Sequence, residues 1–216
     1  MSTSPARVAT ISVGVPRTVD RNGQPATTAI WKAPVDGPVE ARGVNLVGDD
    51  QADRRVHGGI DKVVYTYAVE DRRWWEGELG RQLDPGGFGE NLSTDGVDLT
   101  WVVIGTRWRI GTASFEVSEP RVPCWKLNLR MDDNRFIQRF TAAGRPGAYL
   151  RIVGEGSLQA GDEIVVDDVP DHGVTVGHVA GLYADRNRDR GQVERLLEIP
   201  ELSDAWKEWA TSSLDR

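Results

Sequence analysis

The single cysteine of the chain, Cys124, is the residue with the most distinctive chemistry. Pro123 precedes it, and the cations Arg121 and Lys126 lie close to it in the sequence. A proline fixes its own φ and biases the preceding residue toward extended geometry, so Val122 and Pro123 should hold the thiol at a defined angle at the end of a strand. The two cations favour the thiolate, which is the form that binds metals and acts as a nucleophile. The alternative is a buried small hydrophobic residue, the commoner state of a lone cysteine.

A second group of candidate residues centres on two adjacent glycines, Gly58 and Gly59. Adjacent glycines let the backbone approach a ligand closely or adopt positive φ, so that their N–H groups form an anion nest. Arg55, His57 and Lys62 add hydrogen-bond donors and positive charge around that nest. The segment therefore suits a phosphate or a polar heterocycle. A glycine turn with a solvated charge cluster explains the same residues equally well.

A third segment, 85–92, places three glycines around Phe88 and includes Asn91. The Asn91 side chain has both a donor and an acceptor, so it can read the edge of a heterocycle or hold a loop. In isolation, an asparagine in such a loop more often stabilises its own turn.

Composition and charge exclude several classes of function. The 216 residues include 26 basic and 33 acidic side chains, and the net charge of −7 argues against nucleic-acid binding. No stretch is long and apolar enough to span a membrane, and the N-terminus lacks the pattern of a signal peptide. One cysteine cannot form an internal disulfide, so a cytoplasmic location is expected.

Several well-known catalytic signatures are absent from the sequence. There is no Gly-x-Ser-x-Gly, no phosphate-binding P-loop and no Gly-x-Gly-x-x-Gly. The three histidines and one cysteine show no zinc-ligand spacing, and an iron–sulfur cluster needs more thiolates than the chain has. Any redox reaction would therefore need electrons from outside the chain.

The elements that must position these residues change in kind near residue 170. Short apolar runs broken by glycine predict a mostly β region from about 7 to 169, closed as a barrel or a strongly bent sheet. Alternating apolar and polar residues predict two strands, at 107–110 and 113–117, joined by a hairpin turn at Gly111. Apolar runs predict further strands at 8–14, 63–67 and 101–105. Helical spacing predicts two helices on this sheet, at 68–79 and 133–143, the second capped by Asp132 and Asp133.

Beyond Pro170 the apolar residues recur at the spacing of a helix, which predicts three short helices at 175–184, 189–197 and 201–213. The fold class expected is mainly β with α (α+β), with a β-barrel domain at 1–170 and a helical subdomain at 171–216. Trp206 and Trp209 are interpreted as packing anchors of the last helix rather than as residues that bind a base or a sugar.

The order and spacing of the motifs resemble the MOSC domain, which is named for the C-terminus of molybdenum-cofactor sulfurase. The resemblance rests on the segments 49–65, 88–92 and 120–127, with further matches at 104–105, 110–111, 148–151 and 160–162. The helical tail, ending near 196–200, resembles the extra domain of the YiiM-like branch. One departure is the pair Asp49 and Asp50, which stands where relatives are expected to have a glycine-containing acidic run.

The resemblance implies a β-barrel that binds the molybdenum cofactor, a pterin that carries a dithiolene and a phosphate. It implies reduction of N-hydroxylated compounds, including hydroxylated base analogues, to amines, with electrons from an external reductase. The oligomeric state stays open, and a homodimer is compatible with it. The resemblance implies that Cys124 is the metal ligand. His57 would bind the cofactor or donate a proton in catalysis. The other residues with an implied role in cofactor binding are Arg55, Gly58, Gly59, Lys62, Asn91 and Arg121.

Two rival functions suit the same residues. The first is a sulfur carrier, in which Cys124 bears a persulfide and transfers sulfur elsewhere. The second is a noncatalytic module that binds or delivers the molybdenum cofactor.

Overall fold

Thirteen strands and six α-helices make up the part of the chain that the computed structural model describes, residues 5–52 and 59–215. The strands are β1 (Arg7–Val13), β2 (Arg17–Arg21), β3 (Gln24–Thr28), β4 (Ala33–Pro34), β5 (Val39–Arg42), β6 (Asn45–Leu46), β7 (Val64–Ala68), β8 (Leu92–Asp95), β9 (Arg107–Ile110), β10 (Ala113–Pro120), β11 (Ala148–Gly154), β12 (Gly156–Leu158) and β13 (Ile164–Asp168). The helices are α1 (Val69–Leu79), α2 (Trp125–Met131), α3 (Phe136–Ala143), α4 (Val176–Ala184), α5 (Arg190–Leu196) and α6 (Asp204–Leu214), and a 3-10 turn covers Ile60–Lys62.

Eight of the strands form one mixed sheet, in the order β13-β9-β10-β11-β7-β8-β1-β4. Its neighbouring strands are antiparallel except for β7 and β8, which are parallel and are connected through α1. The predicted hairpin is confirmed, with Ala113 of β10 opposite Ile110 of β9. The α+β class is confirmed as well.

The closed barrel that the resemblance implied is not formed by the described residues. The sheet ends at β4 on one side and at β13 on the other, and β4 is only two residues long. A single bridge between Arg7 and Glu163 links the start of β1 to the start of β13. Three backbone hydrogen bonds accompany it, from the N–H of Val8 to Asp162 O, from the N–H of Gly161 to Val8 O and from the N–H of Ile164 to Ala6 O. These contacts are too few to make a continuous ladder, so the sheet is bent but open.

The strand predicted at 101–105 is wrong. The chain turns there instead, and among the described residues its one ladder contact is a bridge between Val103 and Thr175. Ile104 is fully buried and its N–H donates to Val174 O at 2.9 Å, while Trp101 is 74% exposed. The segment is therefore hydrogen-bonded to the chain just beyond residue 170 and does not form a strand of the sheet.

The five predicted helices are confirmed, and α2 was not predicted. Thr175 caps α4 by accepting a hydrogen bond from the N–H of His178 at 3.1 Å, as side chains at helix starts often do. Asp132 has a different role from the one predicted: it ends α2 in the left-handed conformation, at φ 55°. Among residues 5–52 and 59–215, no helix has the length and apolar character that a membrane crossing would need.

The largest hydrophobic core joins the sheet to the C-terminal helices. It includes Phe115 and Val117 of β10, Val179 of α4 and Trp206 of α6. A second, aromatic cluster lies beside it and contains Trp75, whose Nε1 donates to the hydroxyl of Tyr67 at 2.9 Å. The helices beyond residue 170 are thus packed into the core of the sheet, while the exact domain division at 170 stays a prediction.

Candidate functional site

Cys124 lies where β10 gives way to α2. After Pro120 the chain stays extended for a few residues, and Cys124 itself has φ −127° and ψ 175°. Its carbonyl oxygen accepts a hydrogen bond from the N–H of Leu127 at 2.8 Å, which closes the first turn of α2. The residue is half-buried, and it lines two neighbouring pockets. The thiol is therefore not enclosed in the hydrophobic core.

The first pocket, here called the cationic cleft, contains about 650 Å³ of empty space, part of which is open to solvent. Its walls come from distant parts of the chain: the segment after β3, the segment after β6, the loop before β8 and the start of α2. The polar and charged residues that line it are Thr28, Lys32, Asp49, Asp50, Gln51, Lys62, Tyr65, Asn91, Arg121, Lys126 and Tyr149.

One wall of the cleft is a buried network of three side chains. Lys32 Nζ lies 2.5 Å from both carboxylate oxygens of Asp49, and Asn91 Nδ2 donates to Asp49 Oδ2 at 2.9 Å. Asn91 Oδ1 accepts from the N–H of Tyr65 at 3.1 Å. Burial lowers the pKa of Lys32, and the charge of Asp49 opposes that effect. The amide of Asn91 is thus held by protein groups and fixes the wall of the cleft.

Arg121 is a buried cation in the same cleft. Its Nη1 donates to the carbonyl oxygen of Phe88, and its guanidinium lies 4.7 Å from the ring centre of Tyr65. Only 8% of the residue is exposed, and no carboxylate of the described residues forms an ion pair with it. A buried charge of this kind is costly unless it is compensated, so the site favours an anionic ligand.

The loop before β8 is organised by Glu90. Its carboxylate accepts hydrogen bonds from the N–H groups of Gly86, at 2.7 Å, and Phe88, at 2.9 Å. Gly86 has φ +77°, and a β-carbon there would meet the carbonyl oxygen of Lys32 at 2.7 Å. The glycine therefore lets the loop approach the segment after β3 closely. This close approach places Asn91 and the carbonyl of Phe88 beside the cleft.

Lys62, which lines the cleft, forms an ion pair with Glu119. Lys62 Nζ lies 3.4 Å from Glu119 Oε1. Glu119 Oε2 is buried, and the hydroxyl of Ser203 faces the carboxylate. Burial raises the pKa of Glu119, and the charge of Lys62 opposes that rise.

The second pocket, here called the aromatic pocket, adjoins the cleft and contains about 770 Å³ of empty space, part of which is open to solvent. It shares Lys62, Val122, Cys124 and Tyr149 with the cleft. Its remaining lining residues are Glu119, Pro123, Tyr183, Ala205, Trp206 and Trp209. Cys124 thus lies at the junction of a charged pocket and an aromatic one.

The structure brings four of the predicted site residues together: Lys62, Asn91, Arg121 and Cys124 line the cleft. Gly59 has φ 97° at the start of the 3-10 turn, is exposed, and is not part of the cleft wall. Arg55, His57 and Gly58 lie outside the described residues.

Sequence reasoning missed Lys32, Tyr65, Glu119 and Tyr149 as site residues. Tyr65 and Tyr149 are paired across β7 and β11, with ring centres 5.1 Å apart. Burial raises the pKa of Tyr149 to about 12, so it is a neutral hydroxyl at neutral pH. Tyr65 and Tyr149 stand in segments that carry the family resemblance, but their place beside Cys124 depends on the pairing of β7 with β11.

Two family descriptions match consecutive parts of the chain. The MOSC domain matches residues 53–165, and the YiiM-like, 3-alpha helix domain matches residues 174–212. This protein belongs to the MOSC domain family. Within the family it has the C-terminal helical domain of YiiM-like proteins, which corresponds to α4, α5 and α6.

Relatives of this MOSC protein include solved and curated proteins. It is 36% identical to protein YiiM of Escherichia coli (strain K12), over 85% of this chain and 82% of that protein. A protein named "Reductase" from Gibberella moniliformis is 32% identical over 82% of this chain, which is 32% of its own length. The crystal structure of YiiM from Geobacillus stearothermophilus matches with a TM-score of 0.81 and 27% identity, and covers 97% of this chain and 100% of that one.

Proposed function

We propose that this protein is a molybdenum-cofactor-dependent reductase that converts N-hydroxylated compounds to amines, with Cys124 as the metal ligand. The observation that carries the proposal is the position of Cys124 between the cationic cleft and the aromatic pocket. A cofactor in the cleft and a substrate in the aromatic pocket would meet at this residue. The reductase-named relative supports the reaction type.

The donor set suits a metal that brings most of its own ligands. Residues 5–52 and 59–215 contain no group of three or more His, Cys, Asp and Glu residues that could hold a metal ion. A single thiolate is a soft ligand, which suits a sulfur-coordinated transition metal. Cys124 could complete the coordination of a metal that is already held by a dithiolene.

The charge of the cleft suits the phosphate of the same cofactor. Arg121 is a buried guanidinium without a carboxylate partner in the described residues, and Lys62 and Lys126 line the same space. Charge-assisted hydrogen bonds to phosphate are among the stronger contacts in proteins.

The reaction converts R–NHOH, two electrons and two protons to R–NH2 and water. When bound, the cofactor would supply the two-electron oxygen-removal chemistry that protein side chains cannot supply. The electrons come from an external electron-donating reductase, which is part of the proposal. The chain's own residues orient the reactants: Arg121 and Lys62 would hold the anionic end of the cofactor, while Val122 and Pro123 would form the apolar contact beside Cys124.

The aromatic pocket favours a reductase over the two rival functions. A sulfur carrier requires only an accessible thiol, and a delivery module requires only the cleft. Neither requires a second pocket that is lined by three aromatic side chains and opens onto the same cysteine.

The test uses protein from a host that makes the cofactor. Reduced methyl viologen serves as the electron donor and N6-hydroxyadenine as the substrate, and the adenine produced is measured by chromatography. We expect turnover by the wild type, a loss of at least about 100-fold in Cys124→Ser, and no turnover with a nicotinamide alone. If the metal-loaded wild type makes no adenine, the reductase proposal fails; a mass increase of one sulfur atom on Cys124, reversed by reductant, would instead support the carrier.

A further inference from the structure

We infer that a cluster of cations beside Cys124 is the docking surface for the electron donor, and that this donor is an acidic electron-transfer protein. The cluster, here called the basic face, comes from three separate segments and consists of Arg17, Arg21, Arg81, Lys126 and Arg130. The inference rests on the proposed function and deepens it by naming the kind of partner that delivers the electrons.

The hairpin of β2 and β3 contributes two arginines that lie on indole rings. Arg17 and Arg21 are four residues apart in β2, so they project from the same side of the strand. The guanidinium of Arg21 lies 4.3 Å from the ring centre of Trp125, the residue after Cys124. The guanidinium of Arg17 lies 3.8 Å from the ring centre of Trp31. Such contacts hold a cation in place without neutralising its charge.

Helix α2 and the loop after α1 complete the basic face. Lys126 and Arg130 are four residues apart on α2 and therefore lie on one side of the helix. Arg81 Nη2 donates to the carbonyl oxygen of Met131 at 2.8 Å, which places this guanidinium at the end of α2. Burial lowers the pKa of Arg130, and the charges of Arg17 and Arg81 lower it further. The three guanidinium groups therefore lie near one another.

The surrounding chain does not neutralise these cations. None of the five forms an ion pair with a carboxylate of residues 5–52 and 59–215. Asp84 and Glu90 are close enough to oppose the fall in the pKa of Arg130, but Glu90 is buried and accepts backbone hydrogen bonds within its own loop. In a chain whose net charge is −7, a face with an excess of positive charge is unusual, and its complement is an acidic surface.

The basic face borders the candidate site. Lys126 also lines the cationic cleft, and Trp125 follows Cys124 directly. None of the five cations lines the aromatic pocket, so a protein docked on the basic face need not cover that pocket. A donor docked there would bring its redox group next to the segment that carries Cys124, which is where the proposed reaction needs electrons.

The size and charge of the basic face suit a transient redox complex. Complexes of electron-transfer proteins are among the smallest specific interfaces, below about 1,200 Å² of total buried surface. Opposite charges on the two partners raise the rate at which such proteins meet. A reduced iron–sulfur protein loses one electron in each encounter. Two reduced molecules are therefore oxidised for each R–NHOH that becomes R–NH2 and water, and solvent supplies the two protons.

The docking surface is tested first by binding. The Kd for an acidic plant-type [2Fe–2S] ferredoxin is measured by biolayer interferometry at several ionic strengths. Arg21→Glu combined with Arg81→Glu reverses two exposed charges that line neither pocket. We expect this variant to raise the Kd by at least about tenfold at low ionic strength, and the difference from the wild type to shrink as salt is added.

The matched control is Arg42→Glu combined with Arg186→Glu. These two arginines are exposed, lie in other segments, and give the same change in net charge when reversed. The control variant should bind ferredoxin almost like the wild type. Arg21→Gln combined with Arg81→Gln removes the two charges without reversing them, and it serves if the reversed variant is not folded.

Turnover with two electron donors separates docking from catalysis. With reduced ferredoxin as the donor, kcat/KM for ferredoxin should fall by at least about tenfold in the variant with Arg21→Glu and Arg81→Glu. With reduced methyl viologen, a small cation that needs no docking surface, the same variant should reduce N6-hydroxyadenine at the wild-type rate.

Equal ferredoxin affinity in the reversed variant and the wild type, or no ferredoxin binding by the wild type, overturns the assignment of the basic face. Wild-type binding to vesicles of phosphatidylcholine and phosphatidylserine that the variant loses, with unchanged ferredoxin kinetics, also overturns it in favour of a lipid surface. A wild type that is inactive with methyl viologen contradicts the proposed function instead, and the ferredoxin Kd values still decide the docking surface.

Discussion

The ammonium of Lys32 lies 2.5 Å from both carboxylate oxygens of Asp49, in a pair whose side chains are 9% and 1% exposed. The same carboxylate accepts a hydrogen bond from the N–H of Gly14 at 2.8 Å and another from Asn91. Asp49 therefore connects β1, the segment after β3 and the start of β8 at the wall of the cleft.

Removing this carboxylate should destabilise the protein strongly. Asp49→Ala leaves the buried ammonium of Lys32 unpaired, and breaking one side of a buried ion pair costs about 3–5 kcal/mol. Urea denaturation gives the free energy of unfolding. The control is Asp95→Ala, which breaks the exposed pair of Asp95 and Arg7 and should cost at most about 1 kcal/mol. Equal effects of the two substitutions would show that the buried pair is not what holds this wall.

The glycine of the loop before β8 offers a test of close backbone packing. Gly86→Ala should be more destabilising than Gly23→Ala by about 1–3 kcal/mol, the usual cost of overpacking. The two glycines have φ of +77° and +79°, so the backbone strain is matched. A β-carbon at Gly23 would have no atom within 4 Å, whereas a β-carbon at Gly86 would lie 2.7 Å from the Lys32 carbonyl oxygen. Similar losses of stability in the two variants, measured from urea midpoints, would show that the loop can move away from the segment after β3 at little cost.

The chain beyond residue 170 should unfold together with the sheet. Trp206 is 4% exposed and belongs to the core that joins α6 to β10, so Trp206→Ala should cost about 3–5 kcal/mol. Trp101→Ala removes an exposed ring and should change stability by less than about 0.5 kcal/mol. Circular dichroism and tryptophan fluorescence should give one coincident transition in the wild type. Two separate transitions, with only the second shifted by Trp206→Ala, would show that the helices fold independently.

The buried carboxyl of Glu90 predicts the sign of a pH effect. Burial raises the pKa of Glu90 above its value of 4.5 in the unfolded chain, although backbone hydrogen bonds oppose the rise. The contribution of this group to stability is therefore largest below pH 4.5 and decreases as the pH rises through the folded-state pKa.

Glu90→Gln lacks this titration. The stability of the wild type relative to Glu90→Gln should thus fall as the pH rises from about 4.5 to about 7.5, as measured by urea denaturation at each pH. Glu198→Gln, at an exposed position, should follow the wild type across the same range. A relative stability that rises with pH would mean that hydrogen bonds to the carboxylate outweigh its burial.

The sequence predicted elements whose pattern is local. The hairpin of β9 and β10 follows from alternating residues around Gly111, and α4 follows from its apolar spacing after Thr175. The pattern failed at 101–105, where the chain turns and forms hydrogen bonds with the segment at 174–176 instead of a strand. It also missed α2, a seven-residue helix that follows directly on the extended segment around Pro123.

The candidate site was predictable only in part, because it combines side chains from distant segments of the chain. Lys62, Asn91, Arg121 and Cys124 stand in motifs, and the fold brings them to one cleft. Glu119 was not predicted as a site residue, because its ion pair with Lys62 and its place in the aromatic pocket depend on side chains from other elements. Contacts between side chains from different elements can be identified only from the tertiary structure.

The most direct test of the account is the molybdenum content of the wild type and of Cys124→Ser, both purified from a host that makes the cofactor. Inductively coupled plasma mass spectrometry gives the metal per chain, and urea denaturation confirms that both proteins are folded. We predict molybdenum bound in the wild type and a fall to background in folded Cys124→Ser. Full wild-type occupancy in Cys124→Ser, or no molybdenum in the wild type, would contradict the assignment of Cys124 as the metal ligand.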